Sequence, residues 1–155
     1  MILKNYEINK IKLNSNQHLL FYGNNEGFKE EIINNLIKSK KYINKYEEKE
    51  VLTNLEKFVE NLLNKSLFED EKIILIRRST EKIFKVIAEI FEKNLDGVKI
   101  IIESENLDKK SKLRSYFEKS KRDIAMAFYP DNEQTLAKIA YNILNTKKIQ
   151  IVNEH

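Results

Sequence analysis

The residues that could carry chemistry begin with Gly23-Asn-Asn-Glu-Gly27-Phe-Lys29-Glu30, which follows a short apolar run. A phosphate-binding loop reads G-x-x-x-x-G-K-[ST]. Its backbone amides cradle phosphates, its lysine reaches the β/γ oxygens and its hydroxyl ligates magnesium. Here the glycines stand one residue too close and Lys29 does not follow the second of them. Glu30 occupies the place of the hydroxyl, and Glu26 sets negative charge inside the loop. The expectation is a degenerate, inactive phosphate loop in which Gly23, Gly27 and Lys29 only turn the chain.

Other catalytic constellations are equally thin. The apolar run Lys72 to Ile76 should end in an acidic pair if it served metal and water activation; it ends in Arg77-Arg78. The two histidines, His18 and His155, lie far apart, and His18, at the start of a run, reads as packed or capping. Glu103 and Glu105 near the end of another run invite an acid–base reading, but carboxylates at a strand edge are usually solvated, and solvation is expected here. There is no cysteine, so disulfides and thiolate metal sites are excluded. No catalytic residue, metal set or cofactor is expected.

The elements that must position these residues follow from hydrophobic periodicity. Strands are expected at His18–Tyr22, Lys72–Ile76, Val98–Ile102 and Ile124–Phe128, with a polar edge strand somewhere between Tyr42 and Val51. Helices are expected behind Asn25 as N-cap (Phe28, Ile32, Ile33, Leu36, Ile37), across Leu55, Phe58, Val59, Leu62 and Leu63, and from Ile83 to Phe91 with an end near Gly97. Asp108 is expected to cap a basic helix carrying Leu113, Tyr116 and Phe117. Pro130 and Asp131, with Gln134 as partner in a capping box, should start a last helix with the stripe Leu136, Ile139, Ala140, Ile143 and Leu144. The strands are continuous apolar runs alternating with helices, so the expected fold is α/β, a three-layer parallel sheet covered on both faces.

Composition bounds the rest. With 155 residues, 41% hydrophobic and 34% charged, the chain fits one globular domain. No apolar run approaches the roughly 20 residues of a membrane span, and the N-terminus is no signal peptide; a cytoplasmic setting without membrane contact is expected. The net charge of +4 permits nucleic acid as a partner. Lys109, Lys110, Lys112, Arg114, Lys119, Lys121 and Arg122 would carry that contact, although they spread over several faces of one helix and its end.

The segment Asn64-Lys-Ser66-Leu67-Phe68-Glu69-Asp70 stands out. Continuing the preceding helix would put Leu67 about 110° and Phe68 about 150° from its apolar stripe, so the pair either folds back into the core or protrudes. A protruding Leu-Phe is the kind of anchor that fills an apolar pocket on a partner.

Four stretches in order resemble the N-terminal domain of the bacterial DNA polymerase III delta subunit. They are Leu19-Leu-Phe-Tyr-Gly23-Asn-Asn-Glu, Ser66-Leu-Phe68 with the run Lys72 to Arg77, Leu107-Asp-Lys-Lys-Ser-Lys-Leu113, and Pro130-Asp-Asn-Glu-Gln-Thr-Leu136. The resemblance implies a P-loop NTPase/AAA+-like domain with a degenerate nucleotide site, in a non-catalytic subunit of a DNA-directed DNA polymerase holoenzyme. It implies that Leu67 and Phe68 enter the hydrophobic cleft of the sliding clamp (the beta subunit), with Ser66 shaping the turn, so that the ring opens for loading on primed DNA. Other clamp-loader subunits (gamma/tau and delta prime) would handle ATP. Lys109, Lys110, Lys112 and Arg114 are the candidate DNA-phosphate contacts in the assembled complex. Residues 1–146 read as the AAA+-like domain carrying the clamp-binding turn, and residues 147–155 as the start of a truncated second, helical domain, as in a fragment or a short relative. The alternatives are a diverged P-loop nucleotide-binding protein and a nucleic-acid-binding domain.

Overall fold

A computed structural model describes residues 1–12, 17–40, 42–64, 71–130 and 133–146, the last span with backbone alone for 133–135. The segments 65–70 and 147–155, which hold the Ser66-Leu67-Phe68 turn and the expected start of a second domain, lie outside the described residues, as does Asp131.

Six strands form one sheet in the order β1-β6-β2-β5-β4-β3, every pair parallel. They are β1 (Ile2–Lys4), β2 (Leu19–Tyr22), β3 (Ile43–Glu47), β4 (Lys72–Ser79), β5 (Val98–Ser104) and β6 (Ile124–Ala127). Runs such as Ile73-Ile-Leu-Ile76 and Ile100-Ile-Ile102 suit central strands because β-branched side chains pack well on a pleat covered on both sides. Alternation then splits each run between two cores. Leu19, Phe21, Ile73, Leu75 and Ile101 meet Ile32, Ile33 and Ile37 of α1 (Glu26–Ile37) on one face. Leu20, Tyr22, Ile74, Ile76, Ile100 and Ile102 meet the other layer. That layer consists of α2 (Glu48–Thr53), α3 (Leu55–Leu63), α4 (Phe84–Glu92) and α5 (Lys112–Lys119). The last helix, α6 (Glu133–Thr146), lies against the 3-10 turn Asn5–Lys10, where Asn142 Nδ2 donates to the Tyr6 carbonyl at 3.2 Å. No helix among the described residues is long and apolar enough to cross a membrane.

Several boundaries differ from the sequence expectation, each for a local reason. The polar edge strand lies within the expected stretch, and a capping box with Glu50 then starts α2, from which Val51 is buried. Strand β4 runs on through Arg77 to Ser79 across an irregularity in its pairing with β5. Helix α4 ends at Glu92 because Asn94 takes a left-handed φ of 44°, and Gly97 turns the chain into β5 instead. The N-cap of α5 is Ser111, whose hydroxyl accepts from Arg114 N at 3.1 Å; Asp108 is not the cap, and its Oδ1 is taken by Lys110 N at 2.7 Å in a local turn. In α3 only Phe58 and Leu62 are buried, while Leu55 and Leu63 face solvent. The stripe of α6 is not a core stripe: Leu136 and Ile143 are exposed.

Buried polar groups are held by the sheet. The His18 ring stacks on Phe91 at 4.0 Å, and its Nδ1 accepts the Ile100 amide at 3.0 Å, so the packed reading of His18 holds. Burial pushes the imidazole down from 6.5 to about 4. A proton on Nδ1 would remove the acceptor that Ile100 needs. Between those two values the unfolded chain binds the proton and the folded chain does not, so stability falls as pH falls. We expect the free energy of unfolding to drop by about 2 kcal/mol between pH 7 and pH 4.5 through this residue. Urea titrations at the two pH values would measure it. His18→Asn, which keeps an acceptor but cannot be protonated, should shrink the difference; an undiminished difference would place the acid sensitivity elsewhere.

Candidate functional site

The chain leaves β2 in the middle of the sheet, runs to the β3 edge, returns through β4 and β5 to the side of β2, and then crosses to β6 on the other side. A crevice at the carboxyl end of β2 is the place where parallel sheets of this kind bind ligands. Gly23 opens the loop there with φ 120°. A Cβ on Gly23 would stand 2.0 Å from the Phe128 carbonyl oxygen, so the close approach of the β6 exit demands glycine. Asn25 N donates to that same carbonyl at 3.0 Å, and the Asn25 side chain caps α1 through Phe28 N at 3.4 Å. Gly27 has open space around its Cα, so packing imposes no glycine there.

Lys29 is the decisive residue. Its side chain is 1% exposed, and its ammonium sits inside the turn. Nζ donates to the Gly23 carbonyl at 2.8 Å, to the Ser104 carbonyl at 2.7 Å and to Glu26 Oε1 at 2.8 Å, and lies 3.0 Å from Glu103 Oε1. An ammonium has three hydrogens. All are engaged by the chain's own acceptors, and the charge is balanced by a carboxylate that is itself buried. Gly23 and Lys29 are six residues apart, the separation of the first glycine and the lysine in a phosphate loop. What differs lies between them: α1 starts at Glu26, and Phe28 stands where the second glycine would be.

Glu103 corrects the expectation of a solvated edge carboxylate. It is 5% exposed, and its second oxygen accepts the Arg78 amide at 3.0 Å. That amide is available because Arg78 takes φ 53° within the irregular stretch of β4. Glu105 is exposed, as expected. Arg77 reaches Glu30 at 3.0 Å, and Arg78 lies 3.5 Å from Glu47. The mouth over the loop, about 280 Å³, is therefore lined by five glutamates and two arginines (Arg77 and Arg78). Such a lining repels a triphosphate more than it attracts one. Among the described residues, no buried side-chain nitrogen or oxygen lacks a hydrogen-bond partner, and no group of acidic or histidine side chains is placed to hold a metal.

The basic residues separate. Lys109, Lys110, Lys112 and Lys119 line one open cleft beside α4 and α5. Arg114 points elsewhere: its Nε donates to Glu118 at 2.8 Å, one terminal nitrogen donates to the Leu107 carbonyl at 3.0 Å, and its guanidinium lies over the Tyr22 ring. Arg122 bonds to Asp123 and Asn94. The grouping of Lys119 with the other three follows from the helical spacing of Lys112, Ser115 and Lys119, which a list of charges along the chain hides.

The fold is similar to that of domain III of the Thermotoga maritima replication initiation protein DnaA in its crystal structure, with a TM-score of 0.51 and 16% identity over 96% of this chain and 70% of that chain. The chain has a P-loop NTPase/AAA+-like architecture. No protein-family model matches it, and no curated protein sequence does. At 16% identity the likeness speaks for the fold, and the site must be read from its own residues.

Removing Lys29 leaves Glu103 as a buried charge with one backbone partner and takes a charged donor away from two buried carbonyls. Lys29→Met should cost about 3–5 kcal/mol of unfolding free energy, and Glu103→Gln in the same chain should recover part of it. Denaturant titration of the two variants tests this; a loss under about 1 kcal/mol would mean that the ammonium does not hold the turn together.

Proposed function

We propose that the chain is a nucleotide-independent AAA+-like module that serves as the clamp-binding arm of a bacterial clamp loader, in the manner of the DNA polymerase III delta subunit. The observation that carries the first half of this reading is the Lys29 ammonium, enclosed by Gly23, Ser104, Glu26 and Glu103. A module whose loop is filled from within has no need of ATP, and its use lies in what it touches. In this reading ATP belongs to other loader subunits, and this chain supplies contact with the ring.

The second half rests on Ser66-Leu67-Phe68 and the stretches that flank it in the same order as in the delta family. The described residues on either side of 65–70 are tied to each other. Lys72 Nζ, at the start of β4, donates to the Asn64 carbonyl at 2.7 Å and to the Asn61 carbonyl, both at the end of α3. Beside them Leu63 is 57% exposed. Leu67 and Phe68 would then be the anchors, Ser66 would shape the turn, and docking into the apolar cleft of the clamp would bias the ring toward an open form before it closes on DNA.

A second reading, a diverged P-loop nucleotide binder, is favoured by the six-residue separation of Gly23 and Lys29. The enclosed ammonium and the acidic mouth oppose it.

Leu67→Ala with Phe68→Ala should weaken binding to a bacterial sliding clamp by on the order of 2–4 kcal/mol, with the thermal midpoint unchanged. Calorimetric or surface-based titration with the clamp measures the first and a melting curve the second. Unchanged affinity would reject the clamp assignment. A drop of several kcal/mol in stability would place the pair in the core.

A further inference from the structure

The cleft beside α4 and α5 gathers Lys109, Lys110 and Lys112, three of the candidate phosphate contacts, with Lys119 and two aromatic rings that the clamp-arm reading does not use. It is a shallow, open depression of about 370 Å³, and its lining carries four lysines, Lys109, Lys110, Lys112 and Lys119, without a single carboxylate. All four are exposed, and none of their ammonium groups has an ion-pair partner among the described residues. The nearby acids are committed elsewhere. Glu81 accepts from Ser111 Oγ at 2.6 Å and Lys112 N at 2.8 Å, Asp108 accepts Lys110 N, and Glu118 is held by Arg114 and Tyr22.

The floor of the cleft is aromatic. Phe84, the first residue of α4, and Tyr116 of α5 both line it and are half-buried, with ring centroids 6.0 Å apart and planes inclined by 62°. Tyr116 is braced from behind by Phe91 and Phe117, each at about 5.8 Å or less. A fixed ring beneath unpaired cations fits a ligand with a flat π face and repeated negative charge.

We propose that this cleft binds single-stranded nucleic acid, with phosphates on the four lysines and an unstacked base against Tyr116 and Phe84. Lysines tracking a backbone, with aromatic rings taking bases, are how single strands are held without sequence preference. A duplex offers the same phosphates but keeps its bases stacked, so the rings favour a single strand. An acidic peptide would satisfy the lysines but leave the aromatic floor without a planar partner.

Fluorescence anisotropy of a short labelled oligothymidylate, titrated with the intact chain at low and at moderate salt, tests the proposal. The expected result is saturable binding that weakens steeply with salt, with a duplex of the same length binding more weakly. Lys109→Gln, Lys110→Gln, Lys112→Gln and Lys119→Gln together should lower affinity by about tenfold or more and flatten the salt dependence. Tyr116→Leu, which keeps apolar bulk in the helix packing, should lower oligothymidylate affinity by about fivefold or more while leaving affinity for inorganic polyphosphate unchanged. No binding at low salt would overturn the proposal. So would an unchanged quadruple variant, or polyglutamate, polyphosphate or the duplex binding as tightly as the oligonucleotide. The lysine substitutions are on the surface, so they decide the matter even if Tyr116→Leu fails to fold. None of these variants changes Leu67 or Phe68 in the sequence, so failure here and failure of clamp binding are read separately.

Discussion

A buried ammonium must be neutralised where it sits, and that requirement organises the centre of this protein. Lys29 is turned inward from α1, and the acceptors it needs come from the end of β2 (Gly23), the end of β5 (Glu103 and Ser104) and its own helix (Glu26). Glu103, in turn, uses its second oxygen to hold the Arg78 amide of β4. One charge pair therefore fixes the carboxyl ends of three neighbouring strands and the first turn of α1 relative to one another. Breaking such a pair by removing one partner is costly because the remaining charge is left dry and unpaired.

The same arrangement leaves the Lys29 ammonium with no hydrogen to offer a phosphate. In a phosphate loop, the lysine and the free amides of the turn await an anion. Here the lysine is already answered by two carboxylates and two carbonyls, α1 begins early behind its Asn25 cap, and the entrance is ringed by glutamates. Surfaces of the described residues that remain uncommitted lie away from this mouth. One is the α3 end, where Leu55 and Leu63 are exposed and Lys72 clamps the entry to the following segment. Another is the lysine-rimmed cleft between α4 and α5.

Much of the fold was legible because continuous runs of Ile and Leu leave little choice: strands buried on both faces must be central and parallel, with helices on either side. The boundaries that slipped did so where short polar residues decided between neighbouring solutions. Ser111 outcompeted Asp108 as the α5 cap, and Asn94 ended α4 before Gly97. Half of the site was legible too. The departures from the phosphate-loop pattern were plain, and Lys29 was singled out. Its role was not, because Glu103 lies far along the chain and meets Lys29 only once β5 is placed beside β2. An isolated carboxylate after an apolar run reads as solvated; only the sheet order shows it to be enclosed. The exposed stripe of α6 shows a related limit. Helical periodicity reports an apolar face but not whether any neighbour covers it.

The central claim is that the anion place of the loop is taken by the chain itself. Isothermal titration of the intact chain with Mg-ATP tests it most directly, with thermal melting in the same buffer as a second readout. With Lys29 enclosed, no saturable heat and no rise in the melting temperature are expected up to millimolar nucleotide. Stoichiometric binding accompanied by a raised melting temperature would contradict it, since ATP could then be admitted only by pulling Lys29 away from Glu103.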